Sequence, residues 1–148
     1  MCRATKSKTA NRNTSVAHLI NGVELLDLQF NESNGATLLA LEEPDSLPFA
    51  PKRVFFLKVT GANVMRSGHA NSCDEFVVAQ TGSVLIEVDN GSKRSSIRLR
   101  ADAHGLWIKR GVFIQLSEFE PNTIVLVCAS ELYNDTMKFD SPQPSLLA

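Results

Sequence analysis

The sequence predicts a single all-β domain, a sandwich or barrel of short antiparallel strands. Three observations predict it. Short apolar or alternating runs follow one another at about 8–12-residue spacing, with no sustained helical period. Turn signals separate them: Asn21-Gly22, Asn34-Gly35, Thr60-Gly61, Thr81-Gly82, Asn90-Gly91, Arg110-Gly111 and Pro121-Asn122. Finally, 148 residues with 43% hydrophobic content suit one domain whose core needs no disulfide staple.

Taken in order, residues 1–15 are polar, lack a periodic apolar pattern and are expected to form a disordered N-terminal segment. Strands are expected at 16–20, 23–28, 37–42, 53–59, 75–80, 84–88, 95–100, 105–108, 113–116 and 124–129. The run Val84-Leu85-Ile86-Glu87-Val88, then Asp89-Asn90-Gly91-Ser92, then the alternating stretch from Ser95 to Arg100, has a hairpin pattern. Asn-Gly is expected to supply the positive φ angles of its turn. Residues 128–138 are the one segment that accommodates a short helix. The domain therefore spans 16–139, and 140–148, with two prolines, is a C-terminal tail whose Leu146 and Leu147 are available to dock.

Composition narrows the function. Fifteen basic residues against sixteen acidic ones leave a net charge of −1, with no clustered cationic surface for nucleic acid. The longest apolar runs, such as 124–129, fall far short of the ~20 residues of a membrane helix. The cationic N-terminus leads into no stretch of signal-peptide length. Cys2, Cys73 and Cys128 are odd in number and lack CxxC spacing, which points to reduced thiols and a cytoplasmic location rather than a disulfide scaffold or zinc site.

Most of the chemistry lies in 61–82, GANVMRSGHANSCDEFVVAQTG. It fits the first signature of the cupin β-barrels at His69, Asn71, Glu75 and Gly82, which makes the expected barrel a cupin-type jelly roll. The second signature falls on 105–114, with Lys109 at its proline position and Ile114 at its histidine position. In an intact site, imidazoles at i and i+2 leave one strand face together, and a carboxylate and a third imidazole complete a metal sphere. Here an amide and a hydrocarbon stand at two of four ligand positions, so no metal or other cofactor is expected. His69 is the site candidate, since it follows Met65-Arg66-Ser67-Gly68 at the mouth of the barrel. His18 and His104 are expected to be structural. Lys52 and Arg53, at a strand start, are expected to be solvated, and Arg98 and Arg100 to lie on a wet face. Trp107 suits packing or stacking on a base. Cys73 has no neighbouring base and is not expected to be a nucleophile.

The order and spacing of further pieces carry a family resemblance. They are Gly35-x-Thr37-Leu38-x-Ala40-Leu41-Glu42-Glu43, Leu47-Pro48-Phe49, Lys52-Arg53-Val54-Phe55-Phe56, Arg66-x-x-His69-Ala70, Gly82-Ser83, Asp89-Asn90-Gly91, Gly105-Leu106-Trp107-Ile108 and Val127-Cys128-Ala129-Ser130-Glu131-Leu132-Tyr133. Over about 32–138 the chain resembles the nucleotide-sugar 3,4-ketoisomerases of the WxcM-like cupins. The resemblance implies conversion of a dTDP-4-keto-6-deoxyhexose to its 3-keto isomer without a metal, for bacterial surface-polysaccharide sugars. A base removes the C3 proton, an enediol forms, and a proton returns at C4. Carried over by position, His69 is the base and Arg66 binds phosphate. Asn71 stands where the family has a second histidine, Asn34 where it has an early arginine, Phe55-Phe56 where it has a tyrosine pair, and Ile114 where a polar group is common. The expected site is thus His69 as catalyst, with Arg66, Asn71, Asn34, Phe55 and Trp107 binding substrate. A homodimer using the strands between Val16 and Leu28 is also expected, because exposed strand edges need covering. The alternative is a catalytically silent cupin that holds a nucleotide-sugar or serves as an accessory subunit. Phenylalanine cannot relay a proton, and asparagine carries no charge for a diphosphate.

Overall fold

The computed structural model describes residues 15–101 and 104–147. The expected disordered segment falls outside the described residues except for Ser15. Thirteen strands follow in order: β1 (Ser15–Ile20), β2 (Val23–Asp27), β3 (Phe30–Ser33), β4 (Ala36–Leu39), β5 (Arg53–Val59), β6 (Arg66–Asn71), β7 (Glu75–Thr81), β8 (Ser83–Asp89), β9 (Arg94–Arg100), β10 (His104–Ile108), β11 (Phe113–Ser117), β12 (Thr123–Ala129) and β13 (Lys138–Phe139). They build a six-stranded sheet, β1-β2-β10-β7-β12-β5, facing a five-stranded sheet, β13-β6-β11-β8-β9, with β3 and β4 forming a separate ribbon. Every pairing is antiparallel, and partners far apart in sequence alternate between the sheets in the manner of a jelly roll.

Alternation along each strand sets the layers. In β7 and β12, Val77, Ala79, Val125 and Val127 face the other sheet, where they meet Ile86, Ile114 and Leu116. Their neighbours Phe76, Val78, Leu126 and Cys128 face outward into a second cluster with Leu28 and Leu47. The β3–β4 ribbon and the segment after it cover that face through Phe30, Leu39, Leu41 and Phe49. Both faces of the central strands are therefore buried, which is why 76–79 and 124–129 are continuous apolar runs rather than alternating ones.

All ten expected strands form, the third as the shorter β4. Three more, β3, β6 and β13, have no apolar run. β6 buries only Ala70 and Asn71 and is held by pairing to β11 and β13. Among the described residues, 128–138 contains no α-helix but one 3₁₀ turn, Tyr133–Asp135. The Asn-Gly geometry expected at 90–91 occurs instead at Asn34-Gly35 (φ 50 and 75), a two-residue turn closed by the Ser33–Ala36 pair. The β8–β9 loop is longer, closed by Asp89 and Arg94. Asn90 is buried there: its Oδ1 accepts the Ser92 and Lys93 N–H groups at 2.9 Å, and its Nδ2 donates to the Asn21 carbonyl. The tail docks through the Gln143 N–H, which donates to the Gly111 carbonyl at 2.7 Å, and through Leu147, which packs on the core.

Candidate active site

Between the sheets, at one end of the sandwich, lies a cavity of about 410 Å³. Val77, Val127, Ile114 and Leu116 line its apolar part, and Phe55 forms a wall. The polar groups come from four places: Arg53 on β5; Arg66, His69 and Asn71 on β6; Glu75 at the start of β7; and Tyr133 and Lys138 from the segment after β12.

The course of β6 explains how His69 reaches the cavity. Ser67 (φ 68) and Gly68 (φ 80) are both left-handed, and the register against β11 slips there, from Gln115–Ser67 to Ile114–His69. This is a β-bulge, which bends the strand and re-aims the next side chain. Asn71, two residues on, shares the face of His69 and is buried. Its Nδ2 donates to Glu75 Oε1.

The connection between β6 and β7 ties down the cavity's cover. Ser72 Oγ donates to Glu131 at 2.8 Å and accepts the Met137 N–H at 2.8 Å. Asp74 accepts from the Trp107 indole at 3.1 Å and the Arg110 N–H at 3.0 Å, and its own N–H donates to Ser130 Oγ. Tyr133 is thereby held near two cations. The Arg53 guanidinium lies 5.5 Å from its ring centroid and the Lys138 ammonium 5.2 Å, while Arg53 also sits 5.2 Å from Phe55. The Arg53 Nε is buried with no hydrogen-bond partner.

Burial, and next the Lys138 charge, lower the His69 pKa below its ordinary value, although the Ser67 backbone and the Asn71 side chain act the other way. The imidazole is therefore neutral near pH 7, the form that accepts a proton. Burial raises the Glu75 carboxyl against the opposing pull of Arg53, Asn71 and Lys138. Burial first, and the Glu75 charge second, push the Cys73 thiol up to about 11, which leaves it inert as a nucleophile.

The donors do not suit a metal ion. Asn71 offers an amide in place of an imidazole, with Nδ2 bonded to Glu75; Ile114 stands opposite His69 on β11; and the described residues contain no group of three or more His, Cys, Asp or Glu placed to hold one.

His69, Arg66, Asn71 and Phe55 line this one cavity. Asn34 does not line it: it is exposed at the ribbon turn, where its φ serves the hairpin. Trp107 lies on the outer face of the six-stranded sheet, with Lys109 4.5 Å over its ring. Arg53, expected to be solvated, is instead half-buried in the cavity, because it shares an inward face with Phe55 and Leu57 at i+2 and i+4. That alternation is a signal the sequence carries. Tyr133 arrives from a 3₁₀ turn and Lys138 from the two-residue strand β13, too short for an alternation to aim either inward.

The family model FdtA, described as WxcM-like, C-terminal, matches residues 21–140. The TDP-4-oxo-6-deoxy-alpha-D-glucose-3,4-oxoisomerase of Aneurinibacillus thermoaerophilus is 30% identical over 106 residues, 71% of this chain and 76% of that protein. The TDP-quinovose 3,4-ketoisomerase WlaRB of Campylobacter jejuni superposes with a TM-score of 0.74 at 28% identity, covering 78% of this chain and 90% of that one. A mutant of the 3,4-ketoisomerase QdtA of Thermoanaerobacterium thermosaccharolyticum, in complex with TDP-4-keto-6-deoxyglucose, shares the fold with a TM-score of 0.74 at 23% identity, covering 80% and 88%.

Proposed function

The chain belongs to the FdtA, WxcM-like family, and from that premise we propose that it is a metal-independent 3,4-ketoisomerase of a TDP-4-keto-6-deoxyhexose, with His69 as base, in the making of sugars for bacterial surface polysaccharides. One observation carries this reading. A neutral imidazole, aimed by a bulge, stands in a cavity with three cations, Arg53, Arg66 and Lys138, against the single carboxyl of Glu75. The excess of positive charge suits a diphosphate, and Arg66 at the exposed end is placed to hold it. The apolar wall of Phe55 and Ile114 suits the deoxygenated edge of the sugar, and Asn71 holds a sugar oxygen. His69 takes the C3 proton and returns it at C4.

The sheet edges favour a homodimer. Among the described residues β1 and β5 are the edges of the six-stranded sheet, and Val54 and Phe56 on β5 are 54% and 62% exposed. Light scattering at micromolar concentration is expected to give twice the chain mass.

The test of function is incubation of the purified, chelator-treated protein with TDP-4-keto-6-deoxyglucose in heavy water. Formation of the 3-keto isomer, with loss of the C3 hydrogen, is expected. Tight binding with neither event would leave the protein a nucleotide-sugar binder, and no binding would remove the function altogether.

A further inference from the structure

His69 accounts for only half of the proton movement that the proposed reaction requires. Converting C3(H)OH–C4=O into C3=O–C4(H)OH moves one proton from C3 to C4 and another from O3 to O4. Three other groups lining the cavity can give and take a proton: Tyr133 and Lys138, which are exposed and stack on one another, and Glu75, which is the enclosed one and which the His69 step leaves idle. Glu75 lines the cavity at the start of β7, on the same face as Val77 and so directed between the sheets. Its Oε1 is occupied by the neutral amide of Asn71, which leaves Oε2 without a hydrogen-bond donor among the described residues. It makes no ion pair within 4.0 Å among those residues either. A carboxyl enclosed beside hydrocarbon and held by an amide is poised to carry a proton, because no cation locks it as the anion. The charged and titratable groups around it are Arg53 from β5, Arg66 and His69 from β6, Cys73 from the β6–β7 connection, Tyr133 from the turn after β12 and Lys138 from β13.

Resting on the isomerase reading above, we propose that Glu75 is the second proton carrier of the reaction, moving the O3 proton to O4 while His69 moves the C3 proton to C4. In the first half, His69 takes the C3 proton and the C–H pair becomes the C3–C4 double bond. The carbonyl π pair goes to O4, which takes the Glu75 carboxyl proton, so that an enediol, an imidazolium and a carboxylate result. In the second half, the carboxylate takes the O3 proton, the O3 pair forms the new carbonyl, and the double-bond pair takes the imidazolium proton at C4. Both side chains return to their starting states, and no oxidant or reductant is consumed. Asn71 is the positioning residue: its amide holds one carboxyl oxygen without ionising it, which an imidazolium in its place would do.

The experiment compares wild type, Glu75→Gln and Glu75→Asp with TDP-4-keto-6-deoxyglucose, measuring kcat against pH and TDP affinity by calorimetry. Glu75→Gln is expected to lose about 10²-fold or more in kcat, keep its TDP affinity, and lose the high-pH limb of the wild-type profile, where the carboxyl deprotonates. Glu75→Asp is expected to recover about tenfold of that loss and to show a displaced limb. A Glu75→Gln rate within about threefold of wild type overturns the proposal. If Glu75→Gln does not fold, Glu75→Asp decides: a slowed rate with a displaced limb supports the proposal, and an unchanged rate and limb overturn it. Unfolding of both variants assigns the carboxyl a structural task and overturns it too. A wild type that turns over no substrate fails the isomerase reading itself, and the carrier role falls with it. Wild-type turnover with an indifferent Glu75 fails only the carrier role.

Discussion

The two ends of the sandwich interior are crossed by the same strands and yet behave differently. β7 begins with Glu75 in the cavity and ends its inward row at Ala79 in the packed core. β5 begins with Arg53 beside Tyr133 and ends at Val59, which is 3% exposed. At the closed end, Ala79, Val84, Ile86, Leu99 and Val125 belong to one packed cluster, none more than 3% exposed. At the open end, equivalent inward positions carry a guanidinium, an imidazole, an amide and a carboxyl. Period-2 alternation decides only that a side chain points inward. Its chemistry decides whether that position is filled core or site. Enclosed polar groups cost stability, and the hydrocarbon at the closed end offsets that cost.

The largest expected contrast comes from His69→Ala. It should lower kcat by about 10³-fold, as loss of a general base does, with the melting temperature nearly unchanged. A 3,4-ketoisomerase assay beside a thermal melt reads both. Ile86→Ala, at the closed end, should do the reverse. It should cost about 2–5 kcal/mol of stability through the cavity it leaves, visible in urea unfolding, and leave the kcat of the folded fraction close to wild type.

Arg53→Leu converts an open-end position to closed-end chemistry. TDP affinity should fall about tenfold through loss of a charge-assisted contact. Stability should hold or rise, because the buried Nε has no partner to lose. A variant that binds normally but unfolds more easily would make Arg53 part of the scaffold.

The smallest expected effect is on pH. Burial, and then Lys138, disfavour the imidazolium of His69, so the base stays neutral to lower pH and the acid limb of kcat/KM should fall below 6.5. Removing the cation with Lys138→Met relieves part of that pressure. The His69 pKa should then rise and the limb move to higher pH. A limb moving the other way would refute the assignment.

How much was legible before the fold varies by residue. Val84 to Val88 and Ile124 to Ala129 announce strands because burying them needs only their own pattern, and His69 stands out because its spacing to Glu75 and Gly82 fits a known signature. Asn71 and Phe55 follow from it by position. Asn34 and Trp107 did not join them. The first answers to a turn that needs positive φ, and the second lies on the outer side of a sheet whose two faces are both buried, a fact that composition does not reveal. β6 has no apolar run and becomes a strand only because β11 and β13 pair with it. Glu75 was visible only as the remnant of a broken metal pattern; its bond from Asn71 gives it another chemistry. The sequence by itself determined the alternation, the turns and the histidine, because these depend on neighbours a few residues away. Tertiary structure alone decided that Arg53, Tyr133 and Lys138 surround that histidine, because the strands and turns carrying them are joined only by contacts between residues distant in the chain.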